Sequence, residues 1–364
     1  MMVHPQGRPP YPIQIEDGGL ERLGAAVTQA LPSANRVIVV TNPVVGPLYA
    51  DAAAQSLTAA GLAVETLTIP DGEDQKTLDT WRALVEALLA VGIDRRTPVA
   101  ALGGGVTGDI VGFAAASVMR GVPLVQIPTT LLAMVDSAVG GKTAVNTPRG
   151  KNLVGAFHQP RLVFSAMGTL QTLDPAELRG GLGEVVKHGV LGDVELFEIC
   201  QARADEIARL APGVMRRLVD GCCRVKADIV AEDTRERGRR ALLNLGHTVG
   251  HAIELVAGLG TLRHGACVGL GMIAEARWAA ARGACAPAVP GLIAAVLGGL
   301  GLPTAPPVLP VDALIASANA DKKRVGDQIA TAVEEAIGQV RLETVPVTEI
   351  SAMMSMLYSS EMQS

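Results

Sequence analysis

Short apolar runs alternate with helix-length segments from Arg36 to Ile127, and this alternation restricts the first half of the chain to very few folds. The runs cover residues 36–40, 64–69, 98–102 and 124–127. The first is rich in β-branched residues, the signature of a buried strand, and the others are short, mainly apolar runs that read as further strands. Between them, residues 51–60 predict a helix that stops at Gly61. Residues 77–91 predict another, with Leu78, Trp81, Leu84, Val85, Leu88 and Leu89 on one side. Strands alternating with helices imply a mostly parallel sheet covered on both faces. The texture changes after Leu173. Asp174-Pro175-Ala176-Glu177 reads as a helix start, and residues 193–210, 215–232, 247–257, 268–282 and 291–300 carry helical patterns. The expectation is an α/β domain over 1–173 and an all-α domain over 174–364, with the Pro-rich stretch 302–310 as a loop in the second.

Aromatic residues are only 2% of the chain. Ala, Leu and Val must carry the packing, and such small side chains let helices and strands approach closely. The net charge is −5 with no long basic run, which argues against a nucleic-acid partner. Local lysines can still oppose that sign at an anionic substrate. Cys200, Cys222, Cys223, Cys267 and Cys285 are odd in number and contain no Cys-x-x-Cys spacing, so neither a disulfide framework nor a zinc knot is expected. Residues 1–18 lack a signal-type apolar core. Residues 291–311 are apolar but broken by Gly and Pro, a poor membrane span. These features point to a cytoplasmic protein without a membrane partner.

Four segments carry candidate chemistry. Gly103-Gly104-Gly105-Val106-Thr107-Gly108-Asp109 follows a predicted strand and precedes a helical run. Glycines there let backbone N–H groups approach a phosphate. The spacing satisfies G-x-G-x-x-G, but the loop follows the third strand, and no acidic residue stands about twenty positions on. The alternative is a tight strand-to-helix turn. Gly140-Gly141-Lys142-Thr143 is not a P-loop, because Asp136 occupies the position of the required first glycine. With Lys151-Asn152 it forms either an anion site or a surface loop. Glu184 and Lys187 share a helix face, as an ordinary ion pair would. His247 and His251, at i and i+4, have the spacing of a metal pair, though capping or packing histidines would show it too. His264 lies nearby, with Asn244, Arg240 and Lys226 adding polar groups.

Together the segments 71–76, 103–109, 127–142, 150–160, 181–189, 240–254 and 264–265 resemble the 3-dehydroquinate synthase family, in the family's order. The resemblance implies an N-terminal dinucleotide-binding domain and a helical C-terminal domain. It implies conversion of 3-deoxy-D-arabino-heptulosonate 7-phosphate to 3-dehydroquinate and phosphate, with NAD reduced and restored within one turnover and Zn2+ (or Co2+) assisting. Its metal ligands would be Glu184, His247 and His264. Its NAD site would use Asn42, Asp71, Gly72, Glu73 and Lys76, then Gly104, Gly105, Val106, Thr107, Gly108 and Asp109. Thr129, Thr130, Lys142, Lys151, Thr169, Leu170, Gln171 and Thr172 would complete that site. Lys226 and Arg240 would hold the substrate carboxylate. Lys142, Asn152, Asn244, His251 and one of Lys322 and Lys323 would hold the phosphate. Asp136 and Lys187 would contact hydroxyls. Arg120 matches an arginine that reaches a neighbouring subunit, which implies a homodimer.

One departure stands out. Many relatives read His-Gly-Glu-Ala-Val where this chain has His264-Gly265-Ala266-Cys267-Val268, so a carboxylate that could support His264 is missing. The alternatives are a related cyclase of the aminodehydroquinate synthase type, a metal-dependent polyol dehydrogenase, or an inactive NAD-binding regulator.

Overall fold

The computed structural model describes residues 1–236, 238–258, 260–319, 324–325 and 327–358. Lys322 and Lys323 therefore lie outside the described residues. The chain divides into two compact units, Met1–Leu173 and Asp174–Ser364.

The first unit comprises strands β1 (Met2–Val3) and β2 (Tyr11–Glu16), helix α1 (Leu23–Ala30), β3 (Arg36–Thr41), α2 (Gly46–Ala59), β4 (Ala63–Thr68) and α3 (Leu78–Ala90). It continues with β5 (Val99–Gly103), α4 (Gly105–Ser117), β6 (Leu124–Pro128), the hairpin strands β7 (Lys142–Thr147) and β8 (Gly150–Phe157), and β9 (Leu162–Ala166). Seven strands form one sheet in the order β1-β2-β9-β6-β5-β3-β4. Only the β1–β2 pair is antiparallel. Period-two alternation sorts β3 between two cores: Val37 and Val39 pack with α1 and α2, whereas Ile38 and Val40 pack with α3 and α4. On α3, Leu84 and Leu88 are buried, but Leu78 and Leu89 are exposed, so its apolar face is narrower than the sequence implies.

Two differences from the sequence reading bear on function. Helix α4 begins at Gly105, inside the glycine run, so the loop is itself the helix N-terminus. Residues 142–157, which read as either an anion site or a loop, form an antiparallel hairpin.

The second unit contains α5 (Pro175–Gly192), α6 (Val194–Ala202), α7 (Ala204–Ala208), α8 (Pro212–Glu232), α9 (His247–Val256), α10 (His264–Ala281), α11 (Val289–Gly299) and α12 (Val311–Asn319). Strands β10 (Arg324–Val325), β11 (Gln328–Ala336) and β12 (Gln339–Pro346) follow, then α13 (Glu349–Ser355). The unit is mainly helical, but not all-α: β10, β11 and β12 pair antiparallel. The alternation in β11 is masked by its alanines and by Glu334, a charged residue type at a fully buried position. Asp174 caps α5 by accepting from the Ala176 N–H at 2.7 Å, with Pro175 in the first turn. Among the described residues, no helix is long and apolar enough to cross a membrane.

Burial first, and repulsion from Glu275 second, hold the Glu334 carboxyl well above its usual range. The folded chain thus keeps a proton that the unfolded chain releases above about pH 4.3. Stability from this group therefore falls as pH rises beyond that point. Glu334→Gln should flatten the decline in melting temperature between pH 5 and pH 9, with a gain of about 3 °C at the alkaline end. Thermal melts across that range check this, and an unchanged slope would refute it.

Candidate active site

Three helices of the second unit bring a carboxylate and two imidazoles together. Glu184 of α5 is fully buried. Its Oε1 lies 3.7 Å from His247 Nε2 and 3.4 Å from His264 Nε2. Donor atoms held about 2.0–2.2 Å from a tetrahedral ion stand roughly 3.3–3.6 Å apart, so the set suits zinc or cobalt. The tautomer fits as well. His247 Nδ1 donates to the Leu245 carbonyl at 3.0 Å, which leaves the Nε2 lone pair toward Glu184. Lys187, one turn along α5, pairs with Glu184 Oε2 and donates to the Leu243 carbonyl at 3.1 Å.

Backbone contact makes this convergence possible. A methyl on Gly183 would collide with the Gly265 carbonyl, which sets α5 directly against the start of α10. A methyl on Gly271 would collide with the Gly246 carbonyl, which does the same for α10 and the start of α9. The rings of His247, His251 and His264 consequently cluster, with centroids 5.1, 5.3 and 5.9 Å apart. His251 shares a face of α9 with His247, yet its ring is not part of the Glu184 set. It forms a second possible group with Glu254 and His264.

Burial opposes charge on His264, but hydrogen bonds donated to the Glu184 and Glu254 carboxylates outweigh it and push the imidazole up to about 9. Burial, then the Lys187 charge, holds His247 well below the usual range. Without a metal ion, one proton on His264 therefore supplies the cation between two carboxylates. The carboxylate expected two residues after His264 is absent at Ala266, but Glu254 of α9 stands 3.4 Å from His264 Nδ1.

Lys226 of α8 and Arg240 of the 3₁₀ turn Arg239–Asn244 are both buried. The Arg240 guanidinium donates to the Thr234 carbonyl at 2.9 Å, and its backbone N–H donates to Asp233 at 3.1 Å. Asn244 donates to Glu236 at 2.9 Å. Sequence reading assigned no role to Glu236, Glu254 or Glu275. Each is an ordinary acidic residue whose partner is fixed only by the fold.

The first unit gathers a separate polar set around the start of α4. Asn42 donates to Asp71 at 2.8 Å and to Thr107 at 3.2 Å, and accepts from the Val44 and Val45 N–H groups. Lys76 bonds Asp109 at 2.5 Å and Asn152 at 2.7 Å. Lys151 pairs with Glu73 at 3.5 Å, and Asn146, which sequence reading also missed, donates to Glu73 at 2.8 Å. A methyl on Gly104 would lie 3.2 Å from Thr130, and one on Gly105 3.0 Å from Ser137, so these glycines keep a backbone-lined cradle open. Thr129, Thr169 and Leu170 are buried, whereas Gln171 and Thr172 are exposed, with Thr172 hydrogen-bonded to Tyr49 at 2.6 Å. Gly72 and Arg120 adopt positive φ of 111° and 65°. Asp136 lies on the π-turn Ala133–Ser137, and Lys142 is exposed at the start of β7.

Residues 66–180 match the 3-dehydroquinate synthase N-terminal family model, and residues 181–324 match the C-terminal one. The 3-dehydroquinate synthase of Pelobacter propionicus is 46% identical over 317 residues, 87% of this chain and 88% of its own. The 2-epi-5-epi-valiolone synthase of Streptomyces hygroscopicus subsp. jinggangensis, solved with NAD+ and Zn2+, superposes with a TM-score of 0.87 at 31% identity over 98% of each chain. A 2-deoxy-scyllo-inosose synthase solved with carbaglucose-6-phosphate, NAD+ and Co2+ gives 0.86 at 27% identity, over 97% of this chain and 98% of its own.

A metal held by Glu184, His247 and His264 would have to displace the proton on His264. The apparent Zn2+ affinity should therefore climb by up to about tenfold per pH unit from neutrality, then level off near the value of about 9 for His264. Competition titrations against a chromophoric chelator measure this. An affinity independent of pH over that range would contradict it.

Proposed function

We infer that this chain, which belongs to the 3-dehydroquinate synthase family, converts 3-deoxy-D-arabino-heptulosonate 7-phosphate to 3-dehydroquinate and phosphate. The reaction is redox-neutral: a ring hydroxyl is oxidised, phosphate is eliminated, the ketone is reduced again, and an intramolecular aldol step closes the carbocycle. The observation that carries the reading is the convergence of Glu184, His247 and His264 beside Lys187 in a chain of this family. Its 46% identity to a 3-dehydroquinate synthase, against 27–31% to cyclases making other products, favours this substrate over theirs.

When bound, NAD supplies an acceptor and then a donor for one hydride, and the divalent metal polarises substrate oxygens. Glu184, His247 and His264 would hold the metal. The N-terminus of α4 at Gly104–Asp109 would hold the pyrophosphate through backbone N–H groups, with Asn42, Asp71, Gly72, Glu73 and Lys76 toward the adenosine. Thr129, Thr130, Lys151, Thr169, Leu170, Gln171 and Thr172 would complete that site.

The chain's own cations do the positioning. Lys226 and Arg240 are buried, so they would meet the substrate carboxylate where water screens little. Lys187, already aimed by Glu184 and the Leu243 carbonyl, would face a ring hydroxyl and favour loss of its proton. His251 and Asn244 would bind the phosphate, as would Lys142, Asn152 and a lysine of Lys322-Lys323. Asp136 would contact a hydroxyl. The leaving phosphate can itself accept the proton removed beside the ketone, which spares the protein a dedicated base. Arg120 would serve a neighbouring subunit, giving a homodimer. The five free, buried cysteines favour a reducing cytoplasm.

Purified protein with NAD, Zn2+ and the heptulosonate phosphate should release phosphate and dehydroquinate in equal amounts, with no net NADH. Net NADH would instead indicate a polyol dehydrogenase, and no phosphate release would overturn the assignment. His247→Ala should lose metal. His251→Ala should keep metal and lose at least about a hundredfold in turnover. Equal loss of metal in both variants would refute these roles.

A further inference from the structure

The start of α9 carries His247, and nothing on α9 itself can close that end. Its N-cap is Gly246, at φ 74°, with no side chain to accept from the first-turn N–H groups. A side chain there is excluded, because a Cβ would run into the Val268 carbonyl and the Met272 side chain of α10. A buried helix N-terminus left this way would hold unsatisfied donors.

The acceptor arrives from another helix. Glu275 of α10 is only 1% exposed. One of its oxygens accepts from the Gly246 N–H at 2.8 Å, and the other accepts from the Val249 N–H at 3.2 Å. These are the N-cap and third helical positions, the second being where an ordinary capping side chain of α9 would bond. A carboxylate also complements the positive end of the helix dipole. Glu334 on β11 feels Glu275 as well: burial first, and repulsion from Glu275 second, raise the Glu334 carboxyl well above its usual range.

We propose that Glu275 is a positioning residue for the metal centre: by capping α9 from α10, it fixes the direction in which His247 presents Nε2. Its two bonds bracket His247, one residue before it and two after. The Nδ1 bond of His247 runs to Leu245, the residue preceding the capped glycine. The backbone that sets the imidazole's tautomer and tilt is thus the backbone that Glu275 holds. About three turns separate Glu275 from His264 on the same helix, so α10 supplies one ligand directly and aims a second. The proposal rests on His247 being a metal ligand.

The test uses the full-length chain. Glu275→Gln, Glu275→Asp and His247→Ala are compared for Zn2+ affinity by chelator competition and, loaded with Co2+, for the visible d–d spectrum. Val296→Ala, a buried change on α11, controls for lost stability. Glu275→Gln should bind Zn2+ at least about tenfold more weakly and shift the cobalt spectrum. Glu275→Asp should recover part of both, and Val296→Ala should melt earlier with affinity and spectrum intact. If Glu275→Gln does not fold, Glu275→Asp decides: it must show weakened affinity and a shifted spectrum. Wild-type affinity and spectrum in the folded Glu275 variants, beside loss of metal in His247→Ala, would overturn the proposal alone. Retention of metal by His247→Ala would overturn the ligand reading beneath it.

Discussion

The close backbone approach of α5, α9 and α10 is the constraint on which the helical unit's chemistry depends. Helices normally meet through side chains, with axes about 8–10 Å apart. Here Gly183 meets Gly265, and Gly246 meets Gly271, at points where even a methyl would strike a carbonyl. The consequence is reach. The glutamate and two histidines lie on three helices, and this close approach brings their side chains together. The scarcity of aromatic residues belongs to the same economy, since bulky rings at these crossings would hold the helices apart.

Electrostatics then determines what such a cluster must contain. A fully buried carboxylate like Glu184 is costly unless it is paired. Lys187 answers one of its oxygens, and the two imidazoles surround the other. Hydrogen bonds to the Glu184 and Glu254 carboxylates raise His264 to about 9, so a divalent cation bound there would compete with its proton. The first unit follows the same rule. Lys76 is divided between Asp109 and Asn152, and Glu73 between Lys151 and Asn146, so each charge has fixed partners beside the open N-terminus of α4.

Much of this was legible before the fold was known, and the limits have physical causes. The four strands and their helices were readable from short β-branched and apolar runs, which are buried almost throughout in β3 and β5, while β4 carries Glu65 and stays partly exposed. The sheet of β10, β11 and β12 was not, because alanines and a buried glutamate blur its alternation. The β7–β8 hairpin was hidden by its glycines, lysines and asparagines, a composition that reads as loop. Spacing alone linked His247 with His251 and could not reach Glu184 or His264, which lie on other helices. The resemblance supplied those two. Neither route could reach Glu254, Glu275 or Asn146: they bear on the sites only through partners remote in sequence, and no local pattern marks them.

The arrangement around His264 bears on how two overlapping donor groups would share one imidazole. Glu184 with His247, and Glu254 with His251, each offer a metal set that needs His264. The ring has two nitrogens, and they face opposite ways: Nε2 toward Glu184, Nδ1 toward Glu254. A neutral imidazole gives a lone pair on one side and an N–H on the other. Glu184 is fully buried and already neighbours the bare Nε2 of His247, so a cation there answers the greater electrostatic need. Glu254 then receives the Nδ1 proton, which fixes the ring and raises its basicity toward the metal. This division would supply from α9 a carboxylate where the sequence lacks one at Ala266, and under the proposed assignment it would leave His251 outside the ligand set.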